Sequence, residues 1–454
     1  MLRLAFGQIR TRPATFAGLA TALFMAVTAI TLFGSLIAAS VVSPPARAGQ
    51  PGLVLIGGAF GEIAILVALF VVANTLGFAV RQQHRELALL RTVAATPRQV
   101  RGLVRRQVLI VVSLVSPVGW AAGTLGAHRL LGALVERDLV PVGSRIPFTP
   151  VPAVAASVIA LLLGTLSAVL AARPVCRVAP AVALGESVGG DRRVGPIRTP
   201  AGLLALGGGV AFCLFVARQP PDKAGQGALL ATLALMAAVA LLGPLFTVAV
   251  VTVLGLPIRA IAPRSGRLAD ANLRGYAARL SSAVVPLALL TALACAFRFM
   301  GDTVGDASRH LAGTEMASVN SAGDTWLRQV ELTLLVCFGG VSTVNTLAAL
   351  TAARRREFAL LTLIGATRRQ VTSVLCAECL LITAVGTLTG TAVAVATVTS
   401  FSVTLPGSPL PSVNPIGYGS IAAGVAVLAA LGILLTGRRA TSGPATETVA
   451  GQRG

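Results

Sequence analysis

The sequence predicts an all-α polytopic membrane protein of about ten transmembrane helices, arranged four, two, four as a parallel internal repeat. Three observations carry that expectation. Apolar residues make up 55% of the 454 positions and charged residues only 12%, with a mean hydropathy of +0.83, values outside the range of soluble domains. The apolar residues gather into ten runs near the ~20 residues a helix needs to cross the hydrocarbon core. Finally, a basic segment occurs twice, 271 residues apart: Arg85-Glu-Leu-Ala-Leu-Leu-Arg-Thr-Val-Ala-Ala-Thr-Pro-Arg-Gln-Val100 and Arg356-Glu-Phe-Ala-Leu-Leu-Thr-Leu-Ile-Gly-Ala-Thr-Arg-Arg-Gln-Val371. Ten of the sixteen positions are identical. Lipid-facing sequence drifts freely, so a duplicated polar signature between apolar stretches points to a duplicated contact with something soluble.

In chain order, the first run, 15–40, follows Met1-Leu-Arg-Leu-Ala-Phe-Gly-Gln-Ile-Arg-Thr-Arg12. It is too long for the apolar core of a signal peptide and reads as a retained signal-anchor helix. The second, 58–80, leads into the first basic segment, and the third and fourth cover 107–127 and 152–172. The fifth (201–217, short) and sixth (228–254) form a pair that returns the chain to the starting side. Leu268-Ala-Asp-Ala-Asn-Leu-Arg-Gly-Tyr-Ala-Ala-Arg279 then precedes the seventh run, 282–300, much as residues 2–12 precede the first. The eighth, 330–352, leads into the second basic segment, followed by the ninth (374–400, long) and tenth (416–436).

Asn74-Thr-Leu76 lies twelve residues before Glu86, and Asn345-Thr-Leu347 twelve before Glu357. An even number of spans separates equivalent helices, so the repeat is parallel, with a pseudo-two-fold axis along the membrane normal. The expected boundaries are 1–57 for the anchor helix and a short outer loop, 58–175 for the first repeat domain, and 176–264 for a cytoplasmic loop and two linker helices. They continue with 265–327 for an entry segment, the seventh helix and an outer loop, 328–440 for the second repeat domain, and 441–454 for a disordered cytoplasmic tail. The longest outer stretches, 298–329, 128–151 and 41–57, show no strand alternation and leave no room for a large extracytoplasmic domain.

The net charge of +21 would suit nucleic acid, but its distribution does not. With both termini cytoplasmic, 28 of the 37 Lys and Arg residues fall on the cytoplasmic side, the positive-inside bias that orients membrane proteins. Acidic residues show no such preference. Lysine occurs once, at Lys223, against 36 arginines, a bias that suggests a GC-rich bacterial genome and a bacterial cell membrane as the location. The six cysteines lie in or beside apolar runs and read as small apolar residues, Cys376-x-x-Cys379 included.

Each basic segment resolves into helix, break, helix. Leu87, Leu90 and Val93/Ala94 recur at helical spacing in the first copy, as do Phe358, Leu361 and Ile364 in the second. Breaks follow at Ala94-Ala95 and Gly365-Ala366. Thr96-Pro-Arg-Gln99 and Thr367-Arg-Arg-Gln370 then carry the capping-box pattern, with Pro97 at the first helical position. Glu86 and Glu357 either balance local charge or order the turn and meet a partner.

This pattern, following one membrane helix and leading into the next two, resembles the FtsX-like (MacB-type) ABC transporter permease domain over residues 58–175 and 328–440. Pro180-Ala-Val-Ala-Leu184 is similar to the family's proline-containing exit segment. The resemblance implies a permease subunit coupled to a separate cytoplasmic ABC ATPase dimer, which would carry the ATP and Mg, this chain binding no cofactor of its own. It places the coupling at Arg85, Glu86, Leu89, Leu90, Thr96, Arg98 and Gln99. The second-copy counterparts are Arg356, Glu357, Leu360, Leu361, Thr367, Arg369 and Gln370. The substrate class it implies is peptide, lipid or lipoprotein-like, moved by export or extraction. Many relatives carry a large extracytoplasmic domain and this chain has none. Glu378 is a family-like acidic position where the first copy has Gln107, which makes the two halves unequal.

The chain is not itself expected to be an enzyme. A P-loop needs a lysine after glycine, and Lys223 follows Asp222. His84, His128 and His310 are too dispersed for a metal site. Intramembrane polar residues draw functional suspicion: Glu62, Glu331 and Glu378 fall near predicted helix ends, where water is close, and read as interfacial carboxylates or a proton relay, whereas Asn74 and Asn345 lie deeper and read as interhelical hydrogen bonding or a translocation role. Two rival readings remain: an ATP-driven membrane regulator of an extracytoplasmic enzyme or sensor, with a sensor kinase as a further partner, and an ion-coupled secondary transporter. The bilayer is the remaining partner, and nucleic acid is none.

Overall fold

A computed structural model describes residues 13–47, 50–83, 96–177, 198–261, 277–310, 322–405 and 410–437, together with Gly7, Leu89 and Thr92. Every regular element among them is helical. The elements are α1 (Pro13–Val42), α2 (Leu53–Gln82), α3 (Pro97–Glu136), α4 (Val151–Arg177), α5 (Arg198–Val216), α6 (Pro221–Ile261), α7 (Ala277–His310), α8 (Ala322–Ala353), α9 (Arg355–Leu363), α10 (Arg368–Ser402) and α11 (Pro415–Ala430), the last running into a π-helical turn at Leu431–Leu435. All but α9 are long and apolar enough to cross a membrane, giving ten candidate spans among the described residues.

Several helices outrun the apolar runs that reveal them. α3 has 40 residues, about 60 Å at 1.5 Å per residue, against a hydrocarbon core of about 30 Å. Its basic start (Arg98–Arg106) and its last turns (His128–Glu136) stay helical on either side of the apolar run 107–127. In the same way α7 continues through His310 and α8 begins at Ala322, so much of the expected outer loop 298–329 is helix.

The chain forms two compact units, residues 1–187 and 188–454. In the first, α1 packs against α2, α3 and α4, and α4 also touches α2 and α3. The same neighbour pattern recurs in the second: α7 packs against α8, α10 and α11, and α11 also touches α8 and α10. There α5 and α6 pack on each other and against α10, with α6 also against α7. Thr232 of α6 and Thr397 of α10 share a buried hydrogen bond of 2.9 Å.

Small residues set the tightest crossings. A Cβ on Gly119 of α3 would come within 2.8 Å of Val27 of α1, and one on Gly390 of α10 within 2.5 Å of the Ala288 carbonyl of α7. These glycines are 271 positions apart, the spacing of the sequence repeat. Between apolar helices in lipid, close approach through small residues replaces the hydrophobic drive as the source of packing energy. The core of the second unit runs from Leu287 and Leu290 of α7 through Leu347 of α8 to Val371, Leu375 and Ile382 of α10, and on to Val425 and Ala429 of α11.

Candidate functional site

The second basic segment forms an elbow between α8 and α10. Helical hydrogen bonding tightens at Arg354, whose N–H donates to the Thr351 carbonyl at 3.1 Å. α9 therefore starts as a separate nine-residue helix instead of continuing α8. One side of α9 is fixed inward: Phe358 and Ala359 are buried, Phe358 within the core cluster with Leu347, Val371 and Leu375. The other side leaves Leu360, Leu361 and Leu363 exposed, and Ile364 is 84% exposed. A short helix with apolar side chains on both sides is thus anchored through one and exposed along the other.

The elbow's turn is closed by two local motifs. Gly365 has φ +103°, the left-handed conformation in which a side chain is strained. Its N–H donates to Thr362 O at 3.1 Å, and Ala366 N–H to Leu361 O at 2.9 Å, the paired bonds of a Schellman motif. The capping box then opens α10: Gln370 N–H donates to Thr367 Oγ1 at 3.3 Å and Thr367 N–H to Gln370 Oε1 at 2.8 Å. Thr96 and Gln99 form the same box at the start of α3, with distances of 2.9 and 3.3 Å. Both boxes are where the sequence pattern placed them.

An ion-pair clamp joins the elbow to the helix behind it. Arg354 Nε donates to Glu357 Oε2 of α9 at 2.8 Å. Its two terminal nitrogens grip Glu378 of α10, with Nη2 to Oε1 at 3.1 Å and Nη1 to Oε2 completing a bidentate pair. The Arg354 side chain is only 18% exposed and that of Glu378 20%, so water screens the pair weakly. Burial opposes the charge on Arg354. The hydrogen bonds and Coulombic attraction of Glu378, then of Glu357, outweigh it and hold the guanidinium above its usual pKa range. The guanidinium also lies 5.2 Å from the centroid of the buried Phe358 ring. Hydrogen bonds to charged groups contribute about 1.5–3 kcal/mol each, and bidentate geometry fixes direction as well.

The corresponding residues of the first copy are Gln83 and Gln107, each 271 positions earlier. They meet as well: Gln107 Nε2 donates to Gln83 Oε1 at 3.4 Å, both side chains buried. The same junction is thus occupied by a neutral amide pair in one copy and by an ion pair in the other.

The remaining sequence candidates distribute as follows. Leu89 is helical and exposed, and Thr96, Arg98 and Gln99 are exposed at the head of α3. Arg85, Glu86, Leu90 and the Ala94-Ala95 break lie outside the described residues. In the second copy Thr367, Arg369 and Gln370 are exposed beside the apolar tip, and Arg356 lies on α9. Of the intramembrane candidates, Glu62 is exposed on α2. Glu331 is not the water-facing carboxylate expected of a helix end. α8 begins nine residues before it, and the side chain is only 6% exposed. Glu378 belongs to the clamp. Asn74 and Asn345 are half-buried, and Nδ2 of Asn74 makes none of the interhelical hydrogen bonds expected of it. Sequence reasoning overlooked Arg354, one of three consecutive arginines, and Gln83. Their only signal was the 271-residue register, which pairs 83 with 354 as it pairs 107 with 378.

No curated relative matches the chain significantly. The family described as FtsX-like permease, C-terminal, matches twice, over residues 58–180 and 330–445. Those two stretches enclose both copies of the basic segment, both capping boxes and both junction pairs, and together they cover more than half the chain. The chain therefore belongs to the FtsX-like permease family, as a multi-pass membrane protein carrying the permease domain in duplicate.

Proposed function

We propose that this permease subunit is driven by a separate cytoplasmic ABC ATPase dimer that docks on its two elbows. The ATPase would hold ATP and Mg, and its hydrolysis would power export or extraction of a peptide, lipid or lipoprotein-like substrate at the bacterial plasma membrane. The observation that carries this reading is the second elbow's construction. Four exposed apolar residues, Leu360, Leu361, Leu363 and Ile364, are presented beside exposed Arg368 and Arg369 by a helix fixed from behind. An apolar anchor with a basic rim is the composition of a protein docking site. Duplication of the segment in register suits a two-fold partner.

Ile364→Asp places a charge on the docking tip without touching the core. With the cognate ATPase co-expressed, this variant should insert normally, pull down at least ~10-fold less ATPase, and lose stimulation of ATP hydrolysis in proportion. Full ATPase recovery with unchanged stimulation would remove the elbow from the coupling path.

A further inference from the structure

The geometry points to Arg354 as the positioning residue of the second elbow: by holding Glu357 of α9 and Glu378 of α10 at once, it welds the docking helix to the membrane helix behind it. At the equivalent positions the first copy carries Gln83 and Gln107, which cannot form an ion pair. This inference rests on the coupling reading above and adds to it that the two junctions transmit force unequally.

In the second copy, tilting α9 away from α10 must separate a guanidinium from two carboxylates at a weakly hydrated site, and a bidentate pair resists both translation and rotation. The cation also faces the Phe358 ring, so the same movement pulls Phe358 from its pocket. In the first copy the junction residues are Gln83 and Gln107, joined by one 3.4 Å amide hydrogen bond. That contact is uncharged. A neutral amide pair nevertheless fits the buried junction, so charge is not needed there to fill space. The ion pair in the second copy serves the direction and stiffness of α9.

The test exchanges one junction's chemistry for the other's. Arg354→Gln/Glu378→Gln recreates in the second copy the pair the first copy already accommodates, so the fold should survive. Hydrogen exchange of the purified full-length permease, without ATPase, should then show the amides of residues 355–366 exchanging roughly tenfold faster. With the ATPase added, complex formation should persist because the apolar tip is intact, while stimulation of hydrolysis falls several-fold. The charge-swapped Arg354→Glu/Glu378→Arg should recover part of the protection and part of the stimulation. Gln83→Leu/Gln107→Leu at the first junction should leave stimulation within about twofold.

Unchanged exchange over residues 355–366 in the Gln/Gln variant overturns the weld. Equal loss of stimulation from the Leu/Leu variant overturns the inequality. The exchange measurement involves no ATPase, so it can fail while the coupling reading stands. The Ile364→Asp pull-down can fail while the weld stands.

Discussion

At the scale of single residues, the second elbow depends on a few positions whose chemistry has no ready substitute. Gly365 is one, since only its φ of +103° brings the Ala366 N–H back to Leu361. A residue with a Cβ is strained there. Gly365→Ala should cost about 1 kcal/mol locally, seen as roughly fivefold faster exchange at residues 361–366 with little change in global unfolding. Thr367→Ala removes one arm of the capping box and should cost a similar ~1 kcal/mol at the head of α10. If both substitutions leave exchange across the elbow unchanged, the turn is held by the core contact of Phe358 and not by its caps. The caps could be read from sequence because a capping box is a pattern within four residues. The clamp could not, because Arg354 and Glu378 are 24 positions apart and meet only when α8 and α10 have been placed. Nothing in the run Arg354-Arg355-Arg356 marks which arginine turns inward.

At the scale of elements, hydropathy locates helices but underestimates them. Apolar windows report the part of a helix that lipid or core must solvate, whereas backbone hydrogen bonding continues into charged flanks. That is why α3 begins at Pro97, directly after its cap, and why Glu331 lies inside α8 and not at its mouth. The crossings between elements were less legible, since glycine is abundant at 48 residues and nothing in the sequence separates those at a crossing from those, such as Gly58, Gly102 and Gly424, where an added Cβ meets nothing. Gly390 differs because a Cβ there would meet backbone, the Ala288 carbonyl at 2.5 Å, which cannot rotate away. Gly390→Ala should therefore push α10 from α7 and cost about 1–3 kcal/mol, the usual penalty of overpacking. The readout is the thermal midpoint of the detergent-solubilised protein, followed by size-exclusion fluorescence. Gly424→Ala on α11, where a Cβ meets nothing within 4 Å, is the matched control. Equal midpoints for the two variants would mean that the α7–α10 crossing can relax and is not set by Gly390.

At the scale of the whole molecule, the coupling reading imposes a condition on topology that is independent of any contact. One elbow precedes α3 and the other precedes α10, so the spans between them are α3, α4, α5, α6, α7 and α8. If all six cross the membrane, an even number of crossings returns the chain to the same side, as the proposed cytoplasmic partner requires of both copies of the segment. The arginines supply the direction: with the elbows cytoplasmic, 28 of the 37 basic residues share their side, which is the bias that retains loops inside. In a background where the native cysteines are replaced, Ile364→Cys should react with a membrane-impermeant maleimide only after the cells are opened. Arg145→Cys, exposed in the connection between α3 and α4, should react in intact cells. Labelling of both sites in intact cells would break the even-crossing count, and labelling of Ile364→Cys alone would invert the protein. Either pattern would put at least one docking tip beyond the reach of a cytoplasmic ATPase. The expected pattern puts Ile364 on the side where the proposed ATPase would hold ATP, with the Arg354–Glu378 pair directly behind it.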